Sequence, residues 1–107
     1  MLVKICGITT DEAAKSACEA GADLLGFVFA DSSRKITPEH AAAITKQLPD
    51  HVKTVGVFVN EQREVIDNIT EQVGLDYIQL HGDESPELCQ QLRRPVIKAF
   101  SIREKAI

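Results

Sequence analysis

Two kinds of apolar pattern alternate along the chain without a break. Short, nearly continuous apolar runs occupy residues 2–6, 24–30, 54–59, 76–81 and 95–100, and they read as five strands. Between them apolar residues recur every three or four positions. Ala14, Ala17 and Cys18 form the first such stripe, then Ala41, Ile44 and Leu48, then Val65, Ile66, Ile69 and Val73, then Leu88, Cys89 and Leu92. That spacing gathers each set on one face of a helix. A strand such as Leu24-Leu25-Gly26-Phe27-Val28-Phe29-Ala30, apolar throughout, suits a parallel sheet covered on both faces.

Local signals mark the element ends. Thr9-Thr10-Asp11-Glu12 reads as a capping box, with Thr9 as N-cap and Glu12 at the third helical position. Thr37-Pro38 caps the second helix with proline at its first position, Asn60 is the expected N-cap of the third, and Ser85-Pro86 opens the fourth. Gly21 and Gly74 are natural stops. Ser101-Ile102-Arg103-Glu104 repeats the S-x-x-E pattern and predicts the start of a fifth helix, of which Lys105, Ala106 and Ile107 supply about one turn.

Five β-then-α units imply a parallel sheet with right-handed crossovers, either doubly wound and open or part of a (β/α)8 barrel. At 107 residues the chain fits a single domain, residues 1–107. In both architectures sites form at the C-terminal ends of the strands, which directs attention to the segments beginning Cys6, Ala30, Asn60, His81 and Ser101.

Composition narrows the function classes. With 44% hydrophobic and 26% charged residues the chain is an ordinary globular sequence, and its net charge of -4 without a basic stripe argues against a nucleic-acid partner. Its apolar runs are too short to cross a bilayer and the N-terminus lacks the pattern of a signal peptide, so a cytoplasmic location is expected. Cys6, Cys18 and Cys89 are widely spaced, with no metal-binding or C-x-x-C pattern, and are expected as free thiols. No G-x-G-x-x-G, Walker or H-E-x-x-H motif supports a nucleotide or metal.

Among candidate groups, Cys6 ends the first strand. It could be a small packing residue, or a reactive thiol that Gly7 lets a ligand approach and the following helix N-terminus favours as thiolate. Arg34, beside two serines in the loop after strand two, is either solvated or a bidentate grip for a carboxylate or phosphate. His81 is a structural or a site histidine in equal measure. Asp83 and Glu84 belong more naturally to a helix N-terminus than to a catalytic pair. His40 and His51 read as surface residues, and Cys18 and Cys89 as packing residues on helix faces.

Taken together, K-I-C-G-I-T at 4–9, G-A-D-x-x-G-F-V-F at 21–29, R-x-I-T-P-E at 34–39, V-G-V-F-V-N at 55–60, Q-L-H-G at 79–82 and V-I-K-A at 96–99 resemble the phosphoribosylanthranilate isomerase family of tryptophan biosynthesis. The resemblance implies a (β/α)8 barrel, of which this chain covers about the first five strands and four helices. It implies an Amadori aldose-to-ketose rearrangement of a small phosphorylated sugar by general acid and base, with no cofactor or metal. By the same resemblance Cys6 corresponds to the general base, Arg34 to a contact of the anthranilate carboxylate, and His81 to a substrate-side histidine. The family's general acid follows strand six and its phosphate site follows strands seven and eight, beyond this sequence, so the isolated chain is expected to be inactive. Open edges on strands one and five are expected to favour association with a C-terminal half or with another copy. A self-sufficient flavodoxin-like binding domain and a non-catalytic half-barrel scaffold are the alternatives. Sequential strand order marks a barrel, and the order 2-1-3-4-5 marks the doubly wound fold.

Overall fold

The computed structural model describes residues 2–30, 33, 35–80, 86–92, 94–97 and 102–106. Strands and helices alternate as β1 (Leu2–Cys6), α1 (Asp11–Glu19), β2 (Leu24–Val28), α2 (Pro38–Thr45), β3 (Lys53–Phe58), α3 (Arg63–Val73), β4 (Tyr77–Leu80), α4 (Pro86–Gln91) and β5 (Val96–Ile97), followed by a further strand, β6 (Ile102–Ala106). The sheet runs β5-β4-β3-β2-β1-β6, every pair parallel. Strands one to five therefore stand in sequential order, that of a barrel and not of a doubly wound sheet.

The sheet is strongly curled. From Ile97 to Ile102 the chain takes five Cα steps, a reach of at most about 18 Å. Across a flat sheet the two edge strands would lie about 24 Å apart, five spacings of roughly 4.8 Å. Side chains of non-adjacent strands also meet inside the curve: Lys4 Nζ of β1 donates to Gln79 Oε1 of β4, with both residues buried.

Alternation along each strand separates two faces. Ile5, Leu25, Phe27, Phe58 and Ile78 point to the convex side and pack with Ala14 and Ala17 of α1, Ala41 and Ile44 of α2, and Ile66 and Val73 of α3. Burying each large side chain there contributes roughly 1.5–3 kcal/mol, which holds otherwise marginal helices of 6 to 11 residues on the sheet. The small alanines of α1 and α2 let those helices approach closely. Thr70 of α3 is buried as well, and its hydroxyl is satisfied by donating to the Ile66 carbonyl at 2.6 Å.

The second helix starts as its signals predict, Thr37 Oγ1 accepting from the His40 N–H at 3.2 Å with Pro38 in the first turn. Two expected caps are displaced. Thr10, not Thr9, caps α1 and accepts from the Ala13 N–H at 3.0 Å. The left-handed turn at Gly7 (φ 87) delays entry into the helix by one residue. Gln62, not Asn60, is the N-cap of α3, because Asn60 itself sits in the left-handed region (φ 49), which asparagine tolerates better than most residues.

The largest difference concerns the tail. The predicted fifth helix is absent, and Ile102–Ala106 forms β6, pairing in parallel with β1 from Leu2↔Ile102 to Cys6↔Ala106. A capping box contributes about 1 kcal/mol to a helix. Five residues of paired backbone on an otherwise open edge outweigh it. The same pairing covers the edge of β1 that was expected to be open. Lys98, Ala99 and Phe100 of the expected fifth strand, and Ser85 and Ser101 of the expected caps, lie outside the described residues.

A repeated device closes the base of two β-α-β units. Gly21 (φ 91) and Gly74 (φ 80) each end a helix in the left-handed conformation, and an aspartate follows two residues later. Asp23 N–H donates to the Val3 carbonyl at 2.8 Å while its Oδ2 accepts from the Val3 N–H at 2.8 Å. Asp76 repeats this with Thr54, at 3.1 Å and 2.9 Å. Each carboxylate thus satisfies the first inner N–H of the preceding strand. Asp76→Ala is expected to lower stability by about 1–2 kcal/mol, since it strands the buried Thr54 N–H. Urea denaturation measures this, and an unchanged midpoint would rule out the clamp.

Candidate active site

The concave face carries Lys4 and Cys6 of β1, Leu24 and Gly26 of β2, Val55 and Val57 of β3, and Gln79 of β4, all buried. Cys6 is the topmost of these on β1, where the strand gives way to the turn Gly7-Ile8-Thr9. It lies in register with Gly26 on one side and Ala106 on the other. The Gly26 carbonyl accepts two hydrogen bonds from the turn, Gly7 N–H at 3.0 Å and Ile8 N–H at 3.2 Å. The thiol is therefore mounted on a strand end fixed from β2, and it is 9% exposed. It forms no disulfide, nor do Cys18 and Cys89.

Arg34 and His81, the other two site residues expected from sequence, lie outside the described residues, as do Asp83 and Glu84. What the described chain shows is the position of their neighbours. Lys35 forms a parallel bridge with Val28, and the Ile36 N–H donates to the Val28 carbonyl at 3.0 Å, so the loop after β2 returns to the C-terminal end of that strand. Leu80, the last residue of β4, is in register with Phe58, the last of β3. Both places are on the strand-end side where Cys6 stands.

At the ends of β2 and β3, Phe29, Ala30, Lys35, Val59 and Glu61 line an open hollow of about 330 Å³. It brings one cationic and one anionic side chain beside apolar surface, and Phe29 stacks on Phe58 with ring centroids 5.4 Å apart. A second hollow, about 470 Å³, lies between α1 and α2 against Asp11, Lys15, Cys18 and Ile44, and its lining includes no strand-end residue. Among the described residues no group of three or more His, Cys, Asp or Glu side chains converges as a metal site, and no helix is long and apolar enough to cross a membrane.

Cys18 differs from Cys6 in place and in chemistry. Burial pushes the Cys18 thiol above its ordinary range, and the Glu19 carboxylate beside it adds to the effect. A raised value means less thiolate at neutral pH and slower alkylation. Cys18 is expected to react with iodoacetamide at pH 7.5 more slowly than a free cysteine peptide, and mass-spectrometric mapping of the modified sites measures this.

Three residues of the concave face carried no functional expectation from sequence: Gly26, Lys4 and Gln79. For Gly26 a signal was present: a glycine inside a strand marks a close approach of another chain segment. Lys4 and Gln79 are 75 positions apart, and nothing local in the sequence links them.

Comparison with known proteins places this geometry. The model of the protein family described as N-(5'phosphoribosyl)anthranilate (PRA) isomerase matches residues 3–106. The chain is 58% identical over 102 residues to the N-(5'-phosphoribosyl)anthranilate isomerase of Bacillus cereus (strain AH187), a match covering 95% of this chain and 50% of the relative. It superposes on phosphoribosyl anthranilate isomerase from Thermotoga maritima with a TM-score of 0.88 at 48% identity, over 90% of this chain and 48% of that one. A phosphoribosyl anthranilate isomerase solved with reduced 1-(o-carboxyphenylamino)-1-deoxyribulose 5-phosphate gives a TM-score of 0.87 at 48% identity, over 90% and 51% of the two chains. The chain spans about half the length of the curated relatives it matches. Its fold is that of the first five strands and four helices of a parallel (β/α)8 barrel.

Proposed function

The chain belongs to the N-(5'-phosphoribosyl)anthranilate isomerase family, and on that premise we propose that residues 1–107 are the N-terminal portion of a cytoplasmic (β/α)8 isomerase of tryptophan biosynthesis. The reaction is the Amadori rearrangement of N-(5'-phosphoribosyl)anthranilate to 1-(2-carboxyphenylamino)-1-deoxyribulose 5-phosphate. A general acid protonates the ribose ring oxygen, the C1–O bond opens, and an imine forms between C1 and the anthranilate nitrogen. A base then takes the C2 proton, the C2–H electron pair moves into a C1–C2 double bond, and the resulting enolamine tautomerises to the ketone.

Cys6 is the base. The observation that carries this role is its place on the concave face at the C-terminal end of β1, on a turn held from β2. Barrel enzymes assemble their chemistry at that end, and a positioned thiolate can remove a proton from carbon. Arg34 grips the anthranilate carboxylate and His81 stands beside the substrate. The acid and the phosphate cradle come from units after the fifth, so the 107-residue chain by itself does not turn over substrate. Lacking an acid, it cannot open the ring; lacking a phosphate grip, it does not hold the sugar in a reactive pose.

Mixing the chain with a C-terminal half-barrel from a relative tests the proposal. Activity is expected from the mixture and not from either part, and steady turnover by the chain alone would overturn it. A non-catalytic half-barrel is the second reading, favoured by the pairing of β6 with β1, which covers an edge a complete barrel would need. Failure of the mixture to associate, by light scattering, would support that reading.

A further inference from the structure

We propose that Gly26 is a positioning residue for the Cys6 thiol, an inference that rests on the reading of Cys6 as the base. A Cβ built at Gly26 would lie 2.7 Å from Cys6 Sγ, 3.2 Å from its Cα and 3.3 Å from its Cβ. Carbon and sulfur in contact need well over 3 Å, so the thiol occupies the space that a side chain at position 26 would fill. Sγ therefore leans across the sheet toward β2.

Backbone conformation does not call for glycine here. The described glycines with positive φ are Gly7, Gly21 and Gly74, and Gly26 is not among them. Inside a strand glycine is less favourable than alanine by roughly 0.5–1 kcal/mol, for entropic reasons. Space for Sγ is what the missing Cβ supplies. Position 26 also holds the turn beyond the thiol, because its carbonyl accepts the Gly7 and Ile8 N–H groups. One residue of β2 thus fixes both the direction of the side chain and the backbone that carries it.

A methyl group at position 26 would drive Sγ into another staggered rotamer, a displacement on the order of 2 Å or more. Misplacing a reacting group by about 1 Å can cost on the order of a hundredfold in rate. In the barrel completed with a relative's C-terminal half, Gly26→Ala is expected to lower kcat about 10- to 100-fold while KM stays within about threefold, since substrate binding is carried by other loops. Unchanged kcat in a folded Gly26→Ala protein would overturn the proposal.

Urea denaturation of the chain supplies a readout independent of catalysis. Gly26→Ala is expected to shift the midpoint down strongly when Cys6 is present and less in a Cys6→Ala background, where the 2.7 Å obstacle of Sγ is gone and only the contacts with Cα and Cβ at 3.2 and 3.3 Å remain. If Gly26→Ala does not fold, the double variant Cys6→Ala/Gly26→Ala is expected to fold. Equal destabilisation in both backgrounds, or a double variant that also fails to fold, would show that Sγ is not the obstacle and sink the proposal. Full activity in Cys6→Ala alone would overturn the base reading instead, while the coupling between positions 6 and 26 would still report on their contact.

Discussion

Cys6→Ala is expected to lower isomerase turnover about a thousandfold once the chain is completed by the C-terminal half-barrel of a relative. A positioned general base contributes 10²–10⁴-fold, and a thousandfold corresponds to about 4 kcal/mol of transition-state stabilisation. Alanine removes the only atom of residue 6 able to accept the C2 proton. It leaves the mount intact, because the Gly26 carbonyl still holds Gly7 and Ile8. The defect should therefore fall on kcat, with KM nearly unchanged and the melting temperature close to that of the parent. Cys6→Ser should fall nearly as far, since an alcohol is a much weaker acid than a thiol and supplies almost no anion near neutral pH. Retention of more than a tenth of the parent's turnover by Cys6→Ala would remove Cys6 from the base role. A parallel loss of stability would instead indicate a packing residue.

The second large effect is on stability. Lys4 and Gln79 are 0% and 3% exposed, and the Lys4 head group donates to Gln79 Oε1 across the concave face. Gln79→Leu keeps a similar volume but withdraws an acceptor from a buried lysine, and it is expected to cost about 3 kcal/mol. Lys4→Met in addition should recover part of that loss, because no buried lysine head group is then left without the Gln79 acceptor. A double-mutant cycle by urea denaturation gives the coupling directly. Independent, additive losses would mean that the pair does not tie β1 to β4.

Much of this architecture was legible from residue pattern. Alternation of apolar runs with three-to-four-residue periodicity located all five strands of the barrel portion and four helices, because one face of each must be buried and the spacing of that face differs between strand and helix. Thr37-Pro38, Gly21 and Gly74 were legible for the same reason: each acts through its own backbone conformation. Thr9 and Asn60 were misleading because each signal had two local uses. Capping was only one of them, and the turns at Gly7 and Asn60 took the other.

The candidate site was legible in part. Cys6 stood out because a strand end is recognisable and barrel chemistry gathers there. The role of Gly26 was hidden, since an apolar run with a glycine in it does not reveal which neighbour fills the gap. Lys4 and Gln79 fall within runs read as strands, and nothing local links the two. Their meeting depends on the curvature of a sheet in which two strands lie between them.

By itself, then, the sequence determined the succession of elements, the buried face of each, and the placing of a thiol at the end of the first strand, all of which follow from short-range periodicity and backbone preference. Tertiary structure decided what depends on partners distant along the chain. It set the curl that joins Lys4 to Gln79, the space at Gly26 that the Cys6 thiol enters, and the fate of Ile102–Ala106. In that last segment a local helix signal met an open strand edge. The edge prevailed because five residues of backbone pairing outweigh a single cap.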